Sequence, residues 1–239
     1  LVHGAGWVAG EHIKAFQKNP KTRARYEGLT RLVAGVPTFT GEVRLMTGDI
    51  EKPLHRRIPT TYAIWTDLFH KDVPADFIAR AFKTIKATPH HTFIVCTKRP
   101  ERMAEWFDCF QPGEFPNVIA MTTAEDQERA DQRILQLVQI KGCRLGVSIE
   151  PCLGPISFRW AAWEPWQERK DRGEVLNHLD GLRRLAWCVV GGETGPGARP
   201  MNPDWVRALR DQCVEAGVPF WLKSWGAFVQ IKEPLEVFN

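Results

Sequence analysis

Glu193 is the first charged side chain after the apolar run Ala186-Trp-Cys-Val-Val190. The turn that carries it, Gly191-Gly-Glu-Thr-Gly-Pro-Gly197, is one that neither helix nor strand can continue through. A run without polar alternation reads as a strand buried on both faces of a parallel sheet. A carboxylate lifted from the C-terminal end of such a strand can take a proton, an amine or a ribose hydroxyl. The same placing recurs along the chain. Asp67 and His70 follow Thr61–Trp65, and Thr97, Lys98 and Arg99 follow His91–Cys96. Glu125 follows Asn117–Met121, Glu150 follows Cys143–Ile149, and Lys223 and Trp225 close the run from Pro219.

Parallel strands present their C-terminal ends on one face, so these groups are expected around one opening. Glu193, Glu150 and Asp67 are then the catalytic carboxylates. Gly191, Gly192, Thr97, Lys98 and Glu125 are assigned to a cofactor, and His70, Arg99, Lys223 and Trp225 to the substrate. Lysine and arginine clamp oxyanions while carboxylates take amines and ribose hydroxyls, so the set suits a zwitterionic or phosphorylated small molecule. Taken singly, each charge is as readily a salt bridge at a sheet rim; the repetition over six strand ends argues for a site.

Positioning these residues requires a chain of β-loop-α units. The spacing predicts seven parallel strands, beginning with Gly41–Met46 and ending with Pro219–Lys223. Helices are expected from Pro74, with Phe77, Ile78, Ala81, Phe82 and Ile85 on one face, over Glu101–Phe107, over Gln127–Val138, and after Asn202-Pro203-Asp204, with Trp205, Leu209 and Val214 at helical spacing up to Gly217. A helix interrupted at Pro53 is expected within Asp49–His55. The fold class is α/β, a partial or complete parallel (β/α) barrel in one domain over 1–239. Residues 1–40 are poorly defined, with a helical turn or two at Glu11–Gln17 and a solvated basic run at Lys18–Arg25. The tryptophan-rich stretch 157–184 breaks the rhythm and is expected as an insertion over one barrel mouth.

The chain has 239 residues, 44% of them hydrophobic, which is enough for a large core. A net charge of +4 and a pI near 8.8 permit an anionic partner without arguing for nucleic acid. No apolar stretch reaches the length of a membrane span and no signal peptide is visible, so no membrane partner and a cytoplasmic location are expected. The six cysteines are well apart, with no C-x-x-C pair, and Cys96, Cys143, Cys188 and Cys213 read as reduced thiols in apolar surroundings. His90-His91 lacks a third ligand, so no metal site is assigned. The nucleophile elbow, the zinc-protease pair and the phosphate loop are all missing.

Several blocks carry a resemblance. They are Asp67-Leu-Phe-His70, Thr97-Lys-Arg-Pro-Glu-Arg-Met103, Asp126-Gln-Glu-Arg-Ala-Asp131, Glu150-Pro-Cys-Leu-Gly-Pro-Ile156 and Val190-Gly-Gly-Glu-Thr-Gly-Pro-Gly-Ala-Arg-Pro-Met201. In this order, over roughly residues 26–225, they resemble a family of phage and prophage gene products of unknown function. That family is in turn similar to radical S-adenosylmethionine enzymes. The resemblance implies S-adenosylmethionine and a [4Fe–4S] cluster held by three cysteines ahead of Tyr26-Glu-Gly-Leu-Thr30. Residues 1–25 contain no cysteine, so the ligands are absent from this chain and would have to lie upstream of Leu1. The expected function is a radical-SAM-like barrel protein acting on a nucleotide or nucleic acid. The alternatives are a non-catalytic barrel serving as a binding module, and a hydrolase or lyase pairing Glu150 with Glu193.

Overall fold

Six of the seven apolar runs form one parallel sheet. A computed structural model describes residues 2–3, 27–64, 66–110, 113–195 and 197–229. The N-terminal part contains β1 (Val2–His3), β2 (Thr30–Val33), β3 (Val36–Phe39), β4 (Arg44–Leu45), α1 (Thr47–Ile50) and a 3-10 turn at Lys52–His55. There follow β5 (Thr61–Ile64), α2 (Ala75–Ala87), β6 (Thr92–Thr97), α3 (Pro100–Phe107), β7 (Val118–Thr123), α4 (Gln127–Leu137) and β8 (Arg144–Ile149). The chain ends with α5 (Trp166–Asp171), α6 (Asp180–Arg183), β9 (Trp187–Gly191), α7 (Pro203–Ala216) and β10 (Phe220–Ser224).

The sheet order is β10-β9-β8-β7-β6-β5, so each strand lies beside its successor in the chain. Right-handed crossovers that always step in the same direction keep their helices on one face, which is the strand order of a partial (β/α) barrel and not of a doubly wound sheet. Among the described residues the sheet keeps two edges, β5 and β10, and does not close into a complete barrel. The expected strand Gly41–Met46 is corrected. Gly41 takes φ +93° and Glu42 folds back onto Arg44 at 2.6 Å, leaving two extended residues. These form β4, which pairs antiparallel with β1. The expected helix over Asp49–His55 splits into α1 and the 3-10 turn, with Pro53 in the turn's first positions, where its missing N–H costs nothing. The hairpin β2–β3 was not foreseen; its turn is Ala34-Gly35, both at positive φ, as a two-residue hairpin requires. The expectations for Glu11–Gln17, Lys18–Arg25 and Trp65 lie outside the described residues.

The chain divides into two compact units, Leu1–Ala120 with Lys141–Arg144, and Met121–Ile140 with Leu145–Asn239. In the first, α2 buries Phe77, Ile78, Ala81, Phe82 and Ile85, as the 3.6-residue period demands. Each large side chain among them contributes roughly 2 kcal/mol. Phe82 meets Phe107 and Phe115 edge-on at centroid distances of 5.3 and 5.2 Å. Asn117 Nδ2 donates to the carbonyls of Ile85 and Thr88 at 3.1 and 3.3 Å, satisfying acceptors that the end of α2 leaves open.

In the second unit, Val147, Ile149, Cys188, Val189 and Val190 are buried in the sheet. Asn202 caps α7 by accepting the Asp204 N–H at 2.9 Å, and Gly217 ends the helix at φ +72°. The buried stripe of α7 is Val206, Leu209, Gln212 and Cys213, whereas Val214, expected inside, is 72% exposed. Val214 lies about 140° round the helix from Leu209, off the buried stripe. Gln212 can be buried because it donates to the Ile156 carbonyl at 3.2 Å and accepts the Phe158 N–H at 2.7 Å. Within 157–184, Trp163 is buried with its indole on the Gly181 carbonyl at 3.1 Å, and the Trp166 indole reaches the Ala161 carbonyl at 2.9 Å. Among the described residues no helix is long and apolar enough to cross a membrane.

Candidate functional site

The first unit carries Asp67 and His70 on the loop that follows β5, Thr97 as the last residue of β6, and Lys98 and Arg99 just beyond it. Asp67 is buried and its backbone stands at φ +35°, a region an L-residue enters at a cost but which Asp tolerates better than most. Its carboxylate accepts the Thr97 hydroxyl at 2.5 Å and is ion-paired with Arg99. Thr97 Oγ1 in turn accepts the Arg99 N–H at 3.0 Å, which locks the strand exit. The Asp67–His70 segment closes as a turn, with the His70 N–H on the Asp67 carbonyl at 3.0 Å. Arg102 pins that turn from α3, donating to the carbonyls of Phe69, His70 and Val73.

Burial, followed by the Arg99 charge, lowers the His70 pKa below its ordinary value, against the pull of Asp67 and Asp72. Nδ1 of His70 accepts the Asp72 N–H at 3.3 Å, so a neutral ring carries its proton on Nε2. Lys98 is exposed.

The second unit carries Glu125, Glu150, Gly191, Gly192, Glu193, Lys223 and Trp225. Glu150 is 3% exposed. It accepts the Ser148 hydroxyl at 3.1 Å and faces the Lys223 ammonium at 3.3 Å (Oε1) and 3.4 Å (Oε2). The carboxylate can occupy this place because residue 191 has no side chain; a Cβ there would fall 3.1 Å from both Cγ and Cδ of Glu150. Gly192 is equally constrained, since a Cβ would stand 2.5 Å from the Trp225 carbonyl carbon. The exits are stitched by backbone bonds: Cys152 N–H to Gly191 O at 2.9 Å, Gly192 N–H to Ser224 O at 3.0 Å, and Ala227 N–H to Glu193 O at 2.8 Å. Trp225 is 40% exposed.

The other acids have partners of their own. Glu193 takes three donors of Arg199, the N–H and Nε at 2.8 Å and Nη2 at 2.9 Å, and these bonds hold its pKa below the usual carboxylate range. Glu125 pairs with Arg133 at 2.8 Å, and Arg133 also donates to the Thr123 carbonyl at 2.9 Å. Sequence reasoning missed Ser148, Arg102, Arg133 and Arg199. Ser148 had a signal: it lies two residues before Glu150, hence on the same face of an extended chain. The arginines reach across from helices and loops, and spacing does not reveal them.

The cysteines do not fit a three-thiolate iron–sulfur site. Cys96, Cys152, Cys188 and Cys213 are buried, in β6, after β8, in β9 and in α7 respectively. Burial pushes the thiols of Cys143 and Cys152 up to about 12 and about 11, while the hydrogen bond with Cys213, then burial, raise Cys188. A cluster needs thiolates, and these sites oppose them. Among the described residues no three His, Cys, Asp or Glu side chains form a metal-binding group.

Strand order and loop-borne polar groups define an α/β protein of the partial-barrel class, with its ionic clusters at the C-terminal ends of parallel strands. The chain belongs to the family described as protein of unknown function (DUF5131), whose profile matches residues 10–236. Comparison with curated proteins gives no match.

Proposed function

We propose that the chain binds a small zwitterionic cofactor at Glu150 and Lys223, as the binding body of a phage-type, radical-SAM-like protein acting on a nucleotide or nucleic acid. S-adenosylmethionine is the cofactor that the resemblance of the sequence blocks implies. One observation carries the proposal: a carboxylate buried to 3% exposure faces an ammonium that stays partly open to solvent, at strand exits where glycines bring the backbone close. An amino acid headgroup presents the complementary pair, its ammonium to Glu150 and its carboxylate to Lys223, so binding exchanges one buried pair for two and strands no charge. The cysteines of this chain do not fit the cluster, and no step is routed through one.

Isothermal titration of the protein with S-adenosylmethionine tests this. Saturable binding that weakens at least tenfold in Glu150→Gln and in Lys223→Met is expected. No heat with the parent protein, or equal affinity in both variants, overturns it.

A second reading, a non-catalytic binding module, is favoured by the arginine partners of Asp67, Glu125 and Glu193, which occupy the acids that catalysis would need. It predicts that Glu193→Gln and Asp67→Asn leave biological activity intact.

A further inference from the structure

The first unit contains a cavity of about 290 Å³ that none of the candidate site residues lines. It opens between β5, α1 and α2. Ile50, Ile64, Ala81 and Ile85 supply aliphatic walls, and Tyr62 and Phe93 an aromatic one. The two rings stack on each other at 5.3 Å with 15° between their planes. His91 holds this wall in place. Its Nδ1 accepts the Thr60 N–H at 3.2 Å at the start of β5, and its Nε2 reaches the Pro53 carbonyl at 3.1 Å in the 3-10 turn. The cavity is therefore built into the scaffold and does not depend on a ligand to form, as small-molecule sites generally are.

The charges on the lining are unequal in burial. The Asp49 carboxylate is 13% exposed, and its partner Lys52, at 2.5 Å, is 61% exposed. Both residues line the cavity, and the carboxylate is the more buried member of the pair. A largely apolar hollow of this size, with an aromatic wall and the half-buried Asp49 carboxylate beside Thr66 and Thr84 in its lining, suits a flat apolar body bearing a hydrogen-bond donor. A flat anion is disfavoured relative to a neutral donor, because it would be desolvated beside the more buried member of the Asp49–Lys52 pair.

We propose that this cavity is a binding site for a planar heteroaromatic amine. The site is independent of the Glu150–Lys223 reading, and its test is separate. Adenine serves as the probe, with benzoate as a flat anion of similar extent, in ligand-detected NMR and titration calorimetry on the whole chain. Adenine is expected to bind with a Kd below about 1 mM and benzoate at least tenfold more weakly. Asp49→Asn should weaken adenine at least tenfold, Ala63→Phe, whose exposed position lines the opening, should abolish binding, and Glu150→Gln should leave it unchanged. Absence of adenine binding, equal binding of benzoate, or unchanged affinity in both cavity variants overturns the proposal. The comparison of the two probes needs no variant, so it stands even where a substitution unfolds the chain.

Discussion

Residue 191 and Glu150 share a space that admits one side chain only, since a Cβ at 191 would stand 3.1 Å from Cγ and Cδ of Glu150. Gly191→Ala must push the carboxylate off Ser148 and Lys223. A loss of about 1–3 kcal/mol is expected, the usual cost of overpacking a filled interior. Urea unfolding measures it, and an unchanged midpoint would show that the loop yields instead.

Asp67 combines a left-handed backbone with a buried ion pair, and two variants separate these effects. Asp67→Asn keeps a side chain that tolerates φ +35° and gives up only the charge opposite Arg99. Asp67→Ala gives up both and is expected to be less stable than Asp67→Asn by about 1 kcal/mol. Equal stability of the two in thermal unfolding would remove the backbone contribution.

His70 makes stability depend on pH in a stated direction. Its pKa is lowered in the folded protein, so the unfolded chain binds more protons between that lowered value and 6.5. Stability therefore rises with pH across this window and is flat above it. Melting temperatures between pH 5 and 7.5 should show the slope in the parent and a shallower one in His70→Gln.

Glu193 acts at the acid end. Arg199 hydrogen bonds depress its pKa, so its contribution is complete above the ordinary carboxylate value of about 4.3 and is lost as pH falls through the lowered one. Arg199 is 61% exposed, so the pair is worth at most about 1 kcal/mol and less in salt. A double-mutant cycle of Glu193→Gln and Arg199→Met at low and high salt checks this.

Thiol chemistry should be strongly graded. Cys109 is exposed, whereas burial holds Cys143 and Cys152 protonated at neutral pH. A thiol reagent is expected to label Cys109 rapidly and the other five cysteines only on unfolding. Rapid labelling of a second cysteine would contradict this packing.

The six parallel strands and helices α2, α3, α4 and α7 were legible because burying a strand or one helix face imposes a period on the residues. Where burial is partial, the pattern misled. Thr61 and Ala63 of β5 are exposed although their run is apolar, since they alternate with Tyr62 and Ile64 and share the less covered face of this edge strand. Val214 is exposed because it stands about 140° round the helix from Leu209, and Gln212 is buried because hydrogen bonds invisible in the period satisfy its amide.

The sequence alone determined which residues follow each strand, and hence the roster Asp67, Thr97, Arg99, Glu125, Glu150, Glu193 and Lys223, because chain order and hydrophobic period are local properties. Only the tertiary structure decided which of them face one another. It paired Lys223 with Glu150 and Arg99 with Asp67, which lie on separate strand exits, and it gave Glu193 and Glu125 nearby arginines of their own, because pairing depends on where the folded backbone aims each side chain and not on spacing along the chain.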